Sequence, residues 1–374
     1  LTLDLPRVQQ GVRPFMEAGD GGGLTVNEDG LQLHGSDTVC ASLSVPRGAM
    51  PEAGWPVLLY AHEGGGSFLS APAAAAQLMA DVGVAVLSWD GPMHGARGTA
   101  DAAPEAMIYN LRNPVAAMGN LYQGAADIFA MVRAVQAWDI SAAESPTGAA
   151  IRFDASHVAL MGHGLGSWIG GLAAPYEPEI GLTVWSSASA SFTETMTLRA
   201  SPVDVPYGVA LLLQEFGDKG IEEPDTRHPV LSLYQALLEP VDPVSHLAHQ
   251  AAPLGTGAPQ HVLQIQGIGD WYAPSSVTDV VARLIDAELA SPVHRDIKGV
   301  DTVAPPVTNN VGNDDAPRTS VVVQVVPPDD ANGNPAWSAD RGWFEDAPVR
   351  AQVQAFISSW VTDGVPTLPA RSEL

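Results

Sequence analysis

Short apolar runs alternate with longer helical stretches along most of the chain. Trp55 to His62 reads Trp-Pro-Val-Leu-Leu-Tyr-Ala-His, without a polar position before its end. Such a run fits a strand covered on both faces, as in a parallel sheet. Val84 to Asp90 and Val158 to Met161 share this character, and Leu182 to Ser186, Gln260 to Gln266 and Thr319 to Val326 continue it. Helical segments lie between them. Ala71 to Val82 is Ala-rich, and Gly119 to Trp138 sets Leu121, Ala125, Ile128, Phe129 and Val132 on one face. Ser276 to Leu289 and Val349 to Val361 complete the set. This alternation predicts an α/β fold, a mostly parallel central sheet flanked by helices that binds ligands at the carboxyl ends of its strands. Residues 24–46 alternate with period two around Glu28-Asp29-Gly30 and Gly35-Ser36-Asp37, an antiparallel opening to the sheet. From Phe192 to about Pro253 prolines break the pattern into helical pieces. The expected division is a core of residues 1–191 and 257–374 with a helical cap insertion at 192–256.

One turn stands out. Val158 to Ser167 reads Val-Ala-Leu-Met-Gly-His-Gly-Leu-Gly-Ser, an apolar strand entering Gly162-x-Gly164-x-Gly166 and a small-residue helix leaving it. This is the strand, sharp turn and helix of a nucleophile elbow, where G-x-S-x-G exposes a serine at the top of the sheet. Here the central position is Gly164, which has no side chain to attack with. Ser167 lies one turn into the helix, and its use as nucleophile would require the turn to be rebuilt.

Three further loops accompany the elbow in order: His62-Glu63-Gly64-Gly65-Gly66, Asp90-Gly91-Pro92-Met93-His94-Gly95, and Gly267-Ile268-Gly269-Asp270. Together they resemble the α/β-hydrolase superfamily, in particular its bacterial esterase/lipase-like members, from Val39 onward. The resemblance implies a nucleophile, a base and an orienting acid. Asp270 matches the acid. The base is expected in the loop after the last strand, yet the last of the ten histidines is His294, before that strand. Asp340 stands where the histidine belongs. The oxyanion loop of these relatives resembles His-Gly-x-Gly, and Glu63 replaces its first glycine, as is familiar from dienelactone-hydrolase-like members. A carboxylate there opposes the negative charge that ester hydrolysis would develop. Met118-Gly119-Asn120 resembles a place where such relatives carry Arg-Asp-Asn, so Gly119 and Gly164 together imply an enlarged pocket.

Composition narrows the partners. A net charge of −25, from 42 acidic and 17 basic residues, argues against nucleic acid and anionic membrane. Cys40 is the single cysteine, so no disulfide forms within the chain, and no apolar run reaches the ~18 residues of a membrane span. Leu1 is consistent with a trimmed mature chain of secreted or periplasmic origin. His62, Glu63, His94 and His163 all fall at strand ends, but three of them match family positions that carry histidine without metal. Neither a metal nor a cofactor is therefore expected, and the expected partner is a small-molecule substrate.

The first reading is a rebuilt, engineered-type site with carboxylate general-base chemistry: Glu63 or Asp340 as base, with Asp270 beside them, eliminating or isomerising a small aromatic substrate. His62, Gly64, Gly65, Met118, Gly119, His163, Gly164 and Leu165 would form the pocket, with Trp271, Trp337 and Trp343 as flat walls. The alternatives are a disabled esterase and a ligand-binding pseudoenzyme.

Overall fold

In the computed structural model, which describes residues 1–99, 103–255 and 257–371, the apolar runs become the strands of one large sheet. They are β1 (Thr2–Pro6), β2 (Ser36–Ser44), β3 (Trp55–Ala61), β4 (Ala85–Trp89), β5 (Ile151–His163), β6 (Ile180–Ser186), β7 (His261–Gly267), β8 (Glu288–Ala290), β9 (Thr302–Val303) and β10 (Ser320–Val325). Their order across the sheet is β1-β2-β4-β3-β5-β6-β7-β10-β8-β9, and an eleventh short strand, Asp139–Ile140, pairs antiparallel with the start of β5 off this path. β2 pairs antiparallel with β1 and with β4, and the remaining neighbours are parallel.

The continuous apolar runs are explained by two covered faces. Along β3, Val57 and Leu59 join the core on one side, and Leu58 and Tyr60 join the core on the other. Helices α1 (Ser70–Ala74), α2 (Ala76–Ala80) and α3 (Pro104–Ile108) precede the long α4 (Pro114–Ala137). Asn113 starts α4, its side chain accepting from the Ala116 amide ahead of Pro114. Leu121, Ile128 and Val132 of α4 pack on one face of the sheet together with Trp168 of α5 (Leu165–Ala173). Between β6 and β7 run α6 (Phe192–Leu198), α7 (Val205–Glu215) and α8 (Pro229–Leu238). The expected end of the cap at residue 256 lies outside the described residues. α9 (Ser275–Leu284) and α10 (Gly342–Glu345) follow, and α11 (Ala347–Asp363) closes the chain with Phe356, Ile357 and Trp360 on the opposite face.

Several boundaries differ from the pattern. The helix expected to run to Leu289 ends at Leu284, because Asp286 has φ 50° and Glu288–Ala290 return to the sheet as β8. Ala71–Val82 is interrupted at Ala75. The polar stretch before β10 contains a small hairpin, Val311–Asn313 with Ala316–Arg318. β1 carries little alternation, and it is defined by pairing with β2, Leu5 opposite Asp37.

Candidate ligand-binding site

Three glycines build the elbow. β5 ends at His163, Gly164 adopts φ 53° and ψ −111°, and α5 begins at Leu165. A Cβ on Gly162 would stand 2.6 Å from the Gly166 carbonyl carbon, and one on Gly166 would stand 1.9 Å from the Ala61 carbonyl oxygen. Strand and helix therefore pack closely only with glycine at both places. The sharp turn of an elbow is present, and what lies above it differs from the expectation.

The space over Gly164 is filled by Tyr272. A Cβ on Gly164 would be 2.8 Å from Tyr272 Cε1, 2.9 Å from Cζ and 3.0 Å from the hydroxyl oxygen. Tyr272 is 7% exposed, and its buried hydroxyl has no partner of good hydrogen-bond geometry, although the Leu165 N–H is near enough to favour its ionised form. Burial dominates and raises the phenol above its ordinary value. The Leu165 amide is the donor that would serve an oxyanion in a working elbow. Beside His62, Gly91 and Leu165 only about 20 Å³ remains, room for one water.

The expected enlargement at Gly119 is also corrected. A Cβ there would meet the Gly22 carbonyl oxygen at 1.9 Å, so glycine lets the N-terminal hairpin lie against α4. Met118 is partly buried against the core. Both positions where glycine implied room are occupied by the chain itself.

The oxyanion loop is held from within. His62 Nδ1 donates to the Glu63 carbonyl at 2.7 Å, and its Nε2 accepts from the Gly91 amide at 2.9 Å. Burial pushes His62 down to about 4, and His94, edge-on at 4.6 Å, adds to this. His94 has one ring nitrogen 2.8 Å from the Pro92 carbonyl oxygen and the other against the Gly64 carbonyl. Glu63 turns back under its own loop: Oε1 accepts from the Ser70 hydroxyl at 3.2 Å, and Oε2 is buried without a partner. Glu105 of α3 covers Gly64 and Gly65 from outside, its Cγ 3.0 Å from where a Cβ on Gly64 would be. Two carboxylates thus flank a loop that an oxyanion would need to be electropositive.

On the other side of Gly164, Asp270 Oδ1 accepts from the amides of Tyr272 at 2.7 Å and Ala273 at 2.9 Å. Its Oδ2 is buried and unpartnered. Burial pushes the Asp270 carboxyl up to about 7, with Asp340 raising it further and the Ala273 amide and Ser187 hydroxyl opposing. The Asp340 carbonyl accepts from Ser187 Oγ at 3.1 Å, and the preceding Ala339 carbonyl would lie 2.1 Å from a Cβ on Gly267. The acid turn and the base loop therefore meet, and a second carboxylate is brought to the place where an imidazole was expected. His163 Nδ1 lies 3.0 Å from Ser186 Oγ, its ring edge-on to Phe344 at 4.8 Å, and burial lowers its pKa. Ser167 is tied by its hydroxyl to the Gly162 carbonyl at 2.6 Å and the Ser186 carbonyl at 3.0 Å.

Of the expected tryptophan walls, Trp271 points outward at 65% exposure, and Trp343 is fully buried in the core that contains Val325 and Met161. Among the described residues no group of three or more His, Cys, Asp or Glu could hold a metal ion.

Sequence reasoning missed the residues that line the open space. A cavity of about 390 Å³ lies beneath α6 and α7, walled by Tyr109, Trp168, Phe192, Met196 and Leu212, with Glu105, Arg112, Arg199, Asp204 and Glu215 as charged members. Arg199 joins it to the sealed corner, its guanidinium 3.8 Å from the Tyr272 ring centroid and 5.6 Å from that of Tyr109. The available signal was the Asp-Trp-Tyr-Ala turn: the two amides held by Asp270 turn Tyr272 inward and leave Trp271 outside.

No protein-family model matches the sequence, and no curated protein does. Among solved structures, an acetyl xylan esterase from Paenibacillus sp. R4 is 13% identical, with 96% of this chain and 88% of that one covered at a TM-score of 0.53. A 2,6-dihydroxy-pseudo-oxynicotine hydrolase is also 13% identical, with 89% and 67% covered at a TM-score of 0.50. These likenesses concern the fold, and with the sheet order and the elbow they lead to one conclusion: the chain has the α/β-hydrolase fold.

Proposed function

We propose that this protein is a non-hydrolytic α/β-hydrolase-fold protein that binds a small, largely apolar molecule in the cavity beneath α6 and α7. One observation carries the reading: Tyr272 fills the volume over Gly164 that an attacking side chain and an acyl group would need. Without a hydroxyl at 164 or a histidine at 340, no pair remains to form and resolve an acyl-enzyme. The cavity, at about 390 Å³, lies in the lower part of the range for small-molecule sites and is lined mainly by aromatic and aliphatic side chains. The residues 192–256 then act as a cap over a binding site. The test pairs an assay with a titration. The protein is expected to leave p-nitrophenyl esters intact and to bind small apolar probes by calorimetry; turnover abolished by Tyr272→Phe or Asp270→Asn would overturn the reading.

A second reading, proton abstraction by a carboxylate, is favoured by Asp270, whose unpartnered oxygen and value near 7 suit a general base. Its probe is an activated aromatic carbon acid such as 5-nitrobenzisoxazole. Rate loss in Asp270→Asn, or in Glu63→Gln, would support it, and equal rates with buffer would remove it.

A further inference from the structure

Arg199 is 3% exposed, yet no carboxylate lies within 4 Å of its guanidinium among the described residues. Its Nε donates to the Ser201 carbonyl at 3.1 Å, the Tyr109 hydroxyl is near enough to accept from the guanidinium, and the group lies over the rings of Tyr272 and Tyr109. Buried guanidinium groups are ordinarily paired, because an unpaired charge out of water is costly. Ring contacts offset part of that cost. These contacts leave the guanidinium without a carboxylate within 4 Å among the described residues, and Arg199 lines the 390 Å³ cavity. Much of the rest of the wall is apolar, with Trp168, Phe192, Met196 and Leu212 buried, while Asp204 and the exposed pair Arg112–Glu215 also border it.

Resting on the binding reading above, we infer that the cavity selects a monocarboxylate with an apolar body, the carboxylate meeting Arg199 and the body lying among Trp168, Phe192, Met196 and Leu212. A guanidinium presents parallel N–H groups that match a carboxylate, and such charge-assisted pairs are about twice as strong as neutral ones. Phosphate is disfavoured by the same wall. Among the described residues Arg199 is the one buried cation on it, Arg112 being exposed and paired with Glu215, and Glu105 and Asp204 stand on it too, so a dianion would meet one free partner against two like charges. The protein's net charge of −25 slows the approach of any anion, but that field is screened beyond ~10 Å at 0.1 M salt and leaves the local pair intact.

The experiment is calorimetric titration of the full chain with octanoate, 1-octanol and inorganic phosphate. Octanoate is expected to bind at least ~10-fold tighter than octanol, in line with the strength of a charge-assisted bond, and phosphate is expected neither to bind nor to displace it. Arg199→Gln should erase the preference and leave octanol binding in place. Because Arg199 is buried and stacked, Glu105→Gln serves as the second variant. Glu105 is half-buried, and removing its charge should tighten octanoate several-fold while leaving octanol unchanged. Equal affinities for octanoate and octanol would overturn the carboxylate inference and leave the binding reading standing, as would octanoate affinity unmoved by Glu105→Gln. Competition by phosphate would overturn it in favour of a general anion site. Failure of both eight-carbon probes to bind would instead count against the cavity as a ligand site at all.

Discussion

Two glycines mark the difference between the corner above the elbow and the cavity beneath the helical insertion. Gly164 stands under the Tyr272 ring, and a Cβ there would be 2.8 Å from it; Gly208 of α7 lines the cavity, and a Cβ there would meet nothing within 4 Å. The two places meet at Arg199, which stacks on Tyr272 and borders the cavity. The volume above the elbow is filled by the protein's own side chains, and the open space lies one wall away. The filled corner and the open cavity are thus separate features of this fold.

The closed corner is tested most severely by giving position 164 a side chain. Gly164→Ser adds a Cβ against a buried ring and asks serine to hold φ 53° and ψ −111°. Strain and overpacking each cost about 1–3 kcal/mol, so a loss of roughly 3 kcal/mol is expected in urea unfolding. Combining it with Tyr272→Ala should relieve part of that loss, a coupling of about 1 kcal/mol or more between neighbours. Adding Asp340→His to Gly164→Ser should not give ester hydrolysis while Tyr272 is in place. Parental stability in Gly164→Ser would mean that the corner is open after all.

Next in size is the buried carboxyl of Asp270. Folding holds a proton on Asp270 up to about pH 7, whereas in the unfolded chain it is lost near pH 4. Between those values the folded state binds the extra proton, so stability falls as pH rises from about 4 to 7 and levels off above. Asp270→Asn keeps an oxygen for the Tyr272 and Ala273 amides and cannot ionise. Its stability should match the parent near pH 4 and exceed it by up to a few kcal/mol at pH 8. A difference that does not change with pH would show that the carboxyl is not held protonated.

The sequence made the framework legible because frameworks are written in local patterns. Strands apolar at every position marked the buried sheet, and Gly162, Gly164 and Gly166 marked the turn, since backbone approach admits only small residues. Asp340 lies near enough to Asp270 to raise its carboxyl. What stayed hidden was the filling of space. Nothing in residues 118–120 announces that the Gly22 carbonyl lies against Gly119, because that contact joins segments about a hundred residues apart. In the same way Tyr272 and Arg199 reach each other from two different loops. A missing side chain in sequence reads as a hole, and packing at interior density closes holes from wherever a neighbour can reach.

On the open side, a substitution in α7 should change little. Gly208 sits within α7 (Val205–Glu215), with its amide bonded to the Asp204 carbonyl at 3.2 Å. Glycine inside a helix is less favourable than alanine by about 0.5–1 kcal/mol, mostly through the freedom it has when unfolded. Where a Cβ would collide, as at Gly164, that gain is overrun; at Gly208 no atom opposes it. Gly208→Ala should therefore raise stability by about 0.5 kcal/mol and take only one methyl group from the cavity. Octanoate affinity is expected to change less than twofold. A destabilised Gly208→Ala would mean that α7 lies closer to the core in solution, and that the cavity and the elbow corner are alike in being shut.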